Sequence, residues 1–468
     1  MSDYAALDRA VIHAQKFLDS LDERPVAVTA TVQELRTALD KQLSEHGMAP
    51  SQVIDELARD AEAGLLGSTT GRFFGWVIGG NLPAALAADW LTSAWDQNGA
   101  TYAVSPASSV VEEVAGRWLK EILRLPEQAS FAFVTGCQMA HVTALAAARH
   151  QVLVDRGWDV TRQGLAGAPP IRILTSELRH ESFCRAVGLL GLGLDNINYV
   201  PVEQDGRMSV AALASALETD PKRPTIVCLQ AGDLNTGQFD DYEAICPLAH
   251  KHNAWVHIDG AFGLWAAASD NYRHLLRGAG LADSWATDAH KWLNVPYDSG
   301  IVFVANPQAQ MASLTTRAGY FVAAPESARD QVDWNPEWSR RSRGFALYAA
   351  LRELGQNGVA DIVDRCCRAT ERLVDGIDAM DGAEKLAQPI INQGLVRFLD
   401  SGGNHDARTD QVIERIRDAG IVWFGGTDWH GKRAMRISVC NYRTTDRDIE
   451  RALTAVNSAL HEGVTGNP

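Results

Sequence analysis

The chain has 468 residues, 46% of them hydrophobic and 22% charged, and 43 Lys and Arg against 58 Asp and Glu leave a net charge of −15. Such a chain is long enough for one large α/β domain with a smaller one appended, and it can bury a sizeable core. The acidic balance argues against nucleic acid or other polyanions as partners.

Apolar residues recur at helical spacing over residues 5 to 21, 32 to 43 and 51 to 65, so the chain is expected to open with a helical arm. GRFFGWVIGGNLP, residues 71 to 83, is rich in Gly and aromatics and reads as a loop that lines something. A helical pattern returns over residues 112 to 124. Short apolar or β-branched runs then alternate with helix-sized segments: FAFVT (131 to 135), IRILT (171 to 175), INYVPV (197 to 202), TIVCLQ (225 to 230), AWVHID (254 to 259), SWATD (284 to 288) and GIVFVA (300 to 305). Seven such runs predict a seven-stranded, mostly parallel sheet with helices on both faces, an α/β doubly wound domain. Past Phe345 the pattern is helical, then shows strand signals at residues 395 to 400, 421 to 426 and 434 to 440, and closes on a helix over 446 to 460. The expected division is an arm and loop over 1–85, a large domain over 86–345 and a small C-terminal α+β domain over 346–468.

The seven cysteines (Cys137, Cys184, Cys228, Cys246, Cys366, Cys367 and Cys440) are odd in number and lack CxxC or zinc-type spacing. A reducing compartment and no metal site are expected. Charges interrupt the first residues every few positions, so no signal-peptide core forms there, and no apolar run is long enough to span a membrane. A cytoplasmic protein with no membrane partner is expected.

In an open α/β sheet, ligands bind beyond the carboxyl ends of the strands. VHIDGA ends a predicted strand on Asp259, and SWATDAHKW carries Lys291 just past another. A lysine and an acid at neighbouring strand ends suit pyridoxal 5′-phosphate (PLP): the amine forms an imine with the cofactor aldehyde and the carboxylate pairs with its ring nitrogen. On spacing alone the same pair also reads as a surface salt bridge.

HIDGAFG followed by DAHKWLNVPYDSG resembles the group II PLP-dependent amino-acid decarboxylases, the family of aromatic-L-amino-acid and glutamate decarboxylases. GRFFGWVIGGNLPAALAADWL, SPASSVVEEVAGRWL, ELRHESFCRAVGLLG, NTGQFDD and RRSRGFALYAALRELG match in family order, and the likeness runs over roughly residues 70 to 460. It implies fold type I, the aspartate aminotransferase-like fold, with PLP as cofactor, an amino acid as substrate and a homodimer whose active sites form between subunits. Lys291 then holds the cofactor and Asp259 its ring nitrogen. His180 in RHES matches the histidine stacked on the ring, and Ala261 the small residue on the opposite face. Gly136, Cys137 and Gln138 match the phosphate cup, with His290 as a second phosphate contact. Cys137 and Gln138 depart from the small or hydroxyl residues usual there. Asp233 and Leu234 replace threonines near the ring, and Asp233 reads either as a substrate determinant or as the cap of a turn. Tyr320 matches the mobile-loop tyrosine that reprotonates Cα; relatives with phenylalanine there tend toward aldehydes, so a tyrosine favours simple decarboxylation.

Substrate choice is less legible. Trp76 and Tyr102 fall in the segments that line the family's pocket and suit an aromatic side chain, or they pack a dimer interface. Arg340, Arg341 and Arg343 read as recognition of an acidic group or as solvated and interface residues, and Arg436 as a carboxylate binder by analogy with aminotransferases. Decarboxylation of an aromatic L-amino acid is the leading expectation. The alternatives are an acidic or aliphatic substrate, aldehyde formation or transamination on the same scaffold, and a non-catalytic interaction protein.

Overall fold

The computed structural model describes residues 4–315, 324–325 and 328–461. Two compact units emerge: one runs from the N-terminus through Ile78 and takes in Arg372–Leu386 and the chain from Leu395 onward, and the other comprises Gly79–Glu371 and Ala387–Gly394. Both are discontinuous in sequence.

The first unit opens with α1 (Ala5–Asp19), α2 (Val32–Leu39) and α3 (Pro50–Ala61). Thr31 and Glu34 start α2 as a capping box, and Pro50 starts α3 in the first turn, where its missing N–H costs nothing. All three helices are amphipathic, yet none buries a residue. Ile12, Val32, Val53 and Leu57 stay exposed.

The second unit carries α4 (Pro83–Trp95), α5 (Pro106–Ile122), β1 (Ser130–Val134), α6 (Cys137–Val154), α7 (Val160–Gln163), β2 (Arg172–Ser176), α8 (Glu181–Leu189) and β3 (Ile197–Val200). It continues through α9 (Val210–Thr219), β4 (Thr225–Gln230), α10 (Tyr242–Lys251), β5 (Trp255–Asp259), β6 (Ser284–Asp288), β7 (Gly300–Val304) and α11 (Pro307–Leu314). A helical stretch, α12 (Gly344–Asp378), follows and is broken at Gly355, whose φ of 59° is the left-handed conformation that glycine tolerates best.

The sheet is seven-stranded in the order β1-β7-β6-β5-β4-β2-β3, parallel from β3 through β6 and antiparallel where β7 joins β6 and β1. β1, β2, β4, β5, β6 and β7 are buried at every residue. Both faces are therefore covered, which is why these strands read as near-continuous apolar runs. Helix α6 contacts five of these strands, and its alanines Ala140, Ala144, Ala147 and Ala148 are fully buried. Small side chains let its axis lie close to the sheet.

The C-terminal part forms β8 (Ala383–Ala387), β9 (Gln393–Phe398), α13 (His405–Ala419), β10 (Gly425–Trp429), β11 (Lys432–Ser438) and α14 (Asp446–His461), with sheet order β10-β11-β9-β8. The strand expected over 421 to 426 begins instead at Gly425. The backbone at Trp423 is engaged elsewhere, donating to Arg72 O (3.2 Å) and accepting from Phe74 N (2.9 Å). β8 was not anticipated, because AEKLA holds no β-branched or aromatic residue. No helix among the described residues is long and apolar enough to cross a membrane. All seven cysteines are buried thiols.

Candidate active site

Strand register brings the site together. Gly300 pairs with both Val134 and Asp288, Ala286 with Asp259, and Asp259 with Gln230. The carboxyl ends of β1, β4, β5 and β6 therefore lie along one edge of the sheet, where a doubly wound fold binds its ligands. Lys291 follows β6 at this edge and Gly136 follows β1.

Close packing fixes the lysine and the turn. A Cβ on Gly79 would lie 1.9 Å from the carbonyl oxygen of Lys291, and one on Gly300 would lie 2.3 Å from the Cα of Gly136. Lys291 Nζ meets Asp288 Oδ2 at 3.1 Å. Burial alone would lower the lysine pKa, but attraction to Asp288, with Asp259 behind it, raises it above the ordinary value. Asp288 Oδ1 also accepts the N–H of Cys137 at 2.6 Å, so a carboxylate caps α6, whose N-cap residue Gly136 has no side chain to do so. His290 Nε2 stands 3.5 Å from the same oxygen, its Nδ1 accepts from Ser299 N at 3.2 Å, and its ring packs on Tyr297 with centroids 4.3 Å apart. Burial lowers the His290 pKa.

Asp259 is buried at the end of β5. Ala261 N donates to its Oδ1 at 3.2 Å, and His141 Nε2 faces its Oδ2 at 3.4 Å. Burial pushes this carboxyl up, yet His141, followed by His180 and Lys291, holds it well below the usual carboxylate range. His180 is the N-cap of α8, with Nδ1 accepting from Ser182 N at 3.2 Å. Its Nε2 thus carries the ring hydrogen when the imidazole is neutral. The Cys137 thiol is pushed far up by burial, then by Asp259 and Asp288, and stays protonated.

These residues fit PLP. Gln138 Nε2, a pure donor in the first turn of α6, is buried with no hydrogen-bond partner among the described residues, as expected of a group whose acceptor is an incoming anion. A largely buried lysine and a carboxylate held ionised stand at the same sheet edge.

The remaining expected residues have contacts of their own. Asp233 accepts from Asn235 N (2.8 Å), Thr236 N (3.2 Å) and Gln238 N (2.8 Å), so it caps the turn. Arg340 is paired with buried Glu112 at 2.7 Å, Arg341 with Asp89 at 2.7 Å, and Arg343 with Asp298 at 2.6 Å and Glu337 at 2.9 Å, so all three are structural ion pairs. Trp76, in the first unit, has φ of 46° and stacks 4.6 Å from Trp423 while remaining 54% exposed. Tyr102, in the second unit, is half-buried, and its N–H donates to Asp330 Oδ1 at 2.9 Å. Arg436 is buried on β11. Tyr320 lies outside the described residues. Sequence reasoning missed Asp288, which bore the same signal as Asp259, an acid on the last residue of a strand run. It also missed His141 and His257, which carried no signal at all.

The fold and this lysine, acid and anion-cradle arrangement define a fold type I PLP enzyme. Residues 33–399 match the pyridoxal-dependent decarboxylase conserved domain. The chain belongs to that family, whose members are PLP-dependent amino-acid decarboxylases and thus lyases. It is 25% identical over 473 residues to an aromatic-L-amino-acid decarboxylase of Bacillus atrophaeus, covering 98% of this chain and 95% of that protein. An L-2,4-diaminobutyrate decarboxylase of Rhizobium meliloti is 27% identical, with 81% and 75% covered. The crystal structure of Oryza sativa TDC with PLP and tryptamine superposes with a TM-score of 0.91 at 23% identity, covering 98% of this chain and 97% of that one, a likeness of fold.

Proposed function

We propose that the protein decarboxylates an aromatic L-amino acid to the corresponding amine and CO2, working as a cytoplasmic homodimer. The observation that carries the chemistry is the single sheet edge holding Lys291, Asp259, Asp288, His290 and the N-terminus of α6. Bound PLP supplies the electron sink for the pair of electrons left when the Cα–carboxylate bond breaks.

The chain's own residues do the rest. Lys291 Nζ would hold the cofactor through its aldehyde carbon. Asp259, ionised by its surroundings, keeps the cofactor ring nitrogen protonated. His180 would cover one face of the ring, and Ala261, too small to displace it, the other. Gly136, Cys137, Gln138 and His290 would line the phosphate site, with the backbone N–H groups of Gly136 and Gln138 and the Gln138 amide as donors, since the Cys137 N–H is taken by Asp288 Oδ1. Tyr320 returns the proton to Cα.

Trp76 and Tyr102 are the substrate contacts in this reading because they fall in the segments that match the family's pocket. The half-exposed Trp76, stacked on Trp423 and 6.0 Å from Phe73, offers an aromatic surface on which a substrate ring gains on the order of 1 kcal/mol beyond burial. The similarity to an aromatic-L-amino-acid decarboxylase over 98% of the chain supports the same choice. The dimer is supported by α1, α2 and α3, which are amphipathic and bury nothing within one chain.

The test is CO2 and amine release from the PLP-loaded protein against a panel of L-amino acids, with Lys291→Ala as blank. Equal CO2 and amine from tryptophan, tyrosine or phenylalanine, absent in the variant, is expected. CO2 only from an acidic or aliphatic substrate would overturn the aromatic reading, and no CO2 despite bound cofactor would redirect attention to transamination.

A further inference from the structure

Behind Asp259 runs a buried polar chain that the proposed chemistry leaves unused. His141 on α6 and His257 on β5 are fully buried. His141 Nε2 lies 3.4 Å from Asp259 Oδ2, and its Nδ1 lies 2.9 Å from His257 Nε2. His257 Nδ1 lies 2.9 Å from Ser284 Oγ, which accepts from the indole N–H of Trp255, also at 2.9 Å.

Hydrogen positions along this chain follow from which groups can donate. One hydrogen sits between the two imidazoles. If His257 supplies it, His141 Nδ1 is the acceptor and the ring hydrogen of His141 is on Nε2, aimed at Asp259. If His141 supplies it, Nε2 either carries a second hydrogen, giving an imidazolium, or turns a lone pair on a carboxylate, which is repulsive. An N–H on His141 Nε2 directed at Asp259 satisfies the carboxylate, and the Cys137 thiol, 3.5 Å from the same nitrogen, then has Asp259 Oδ1 at 3.8 Å as its acceptor. Burial depresses the His257 pKa to about 3, so this ring is neutral.

We propose that His141, backed by His257, Ser284 and Trp255, is a positioning residue for Asp259, fixing the carboxylate in one orientation and in its ionised form for the cofactor's ring nitrogen. Ala261 N–H and the Cys137 thiol pin the other oxygen at 3.2 and 3.8 Å. A carboxylate has about four lone-pair sites, so an external N–H can still be accepted. The titratable groups facing this assembly are Cys137 on α6, Cys228 on β4, His180 at the start of α8 and Lys291 after β6. Both thiols are pushed up by burial and stay neutral. Phe183 on α8 closes the remaining side, its ring edge-on to His141 at 6.1 Å and stacked on His257 at 6.5 Å.

The inference rests on the role proposed for Asp259, and its test separates the two. In PLP-loaded protein, the pH midpoint of the cofactor's visible absorbance and the PLP dissociation constant are compared for wild type, His141→Asn, His141→Gln and Asp259→Asn. Loss of the ring's positive charge raises the proton affinity of the attached Lys291 nitrogen, so the midpoint moves up. Asn keeps a polar group toward His257 but stops short of Asp259, while Gln reaches as far as Nε2. His141→Asn is expected to raise the midpoint by about one unit and weaken PLP about tenfold, with Gln restoring most of both. If Asn and Gln behave alike, or neither differs from wild type while Asp259→Asn shifts both quantities, the positioning role is wrong and the reading of Asp259 stands. If Asp259→Asn moves neither quantity, both fail.

Discussion

Lys291 must lose a proton before it can capture an aldehyde, and its neighbours oppose that loss. Asp288 at 3.1 Å holds the ammonium form, so the reactive amine is scarce at neutral pH. Capture of PLP by the apoprotein is expected to quicken about tenfold per pH unit up to the lysine pKa. Asp288→Asn removes the attraction, lowers that pKa and shifts the profile to lower pH. Stopped-flow growth of the visible band checks this, and a rate independent of pH would exclude the ion pair as the brake. His257 makes a second pH statement. Its native pKa of about 3 lies below the ordinary 6.5, so between these values the unfolded chain binds a proton that the native state refuses. The stabilisation is complete above 6.5 and declines as pH falls toward 3, by on the order of a few kcal/mol. Urea unfolding of the apoprotein at about pH 7 and about pH 4.5 measures the slope. His257→Gln should flatten it, whatever its effect at neutral pH; an unchanged slope would show that His257 is not the group responsible.

At the scale of elements, the strands of the large sheet other than the edge strand β3 were legible because each is buried at every residue and so reads as an apolar run. The C-terminal elements were less so. IVWFGG reads as a strand, but its tryptophan backbone pairs with residues 72 to 74 and the ladder starts only at Gly425. The segment 71 to 83 was legible as a loop, while the reason for Gly79 in it was not. Gly79 is needed because the backbone of Lys291 passes where a Cβ would be. Gly79→Ala is therefore expected to cost about 2 kcal/mol or more and to impair PLP capture by shifting the lysine. Thermal unfolding and cofactor titration test it, and an alanine variant with unaltered stability and affinity would refute the steric account.

For the whole molecule, three amphipathic helices that bury no residue support the second copy proposed above. Sedimentation equilibrium should give about twice the chain mass of 50.8 kDa. A monomer at micromolar concentration, still able to release CO2, would remove the shared-site dimer from the proposal. The sequence by itself determined the strand runs, the acid and lysine at their ends, and the motifs that carry the family resemblance, since each is written in consecutive residues whose periodicity or identity is visible locally. Only the tertiary structure decided that Asp288 caps α6 and grips Lys291, that Arg340 is spent on Glu112, and that His141 meets His257 across 116 positions of chain. Such contacts depend on strand register and helix placement, and no local pattern of residues encodes which buried polar groups will find one another.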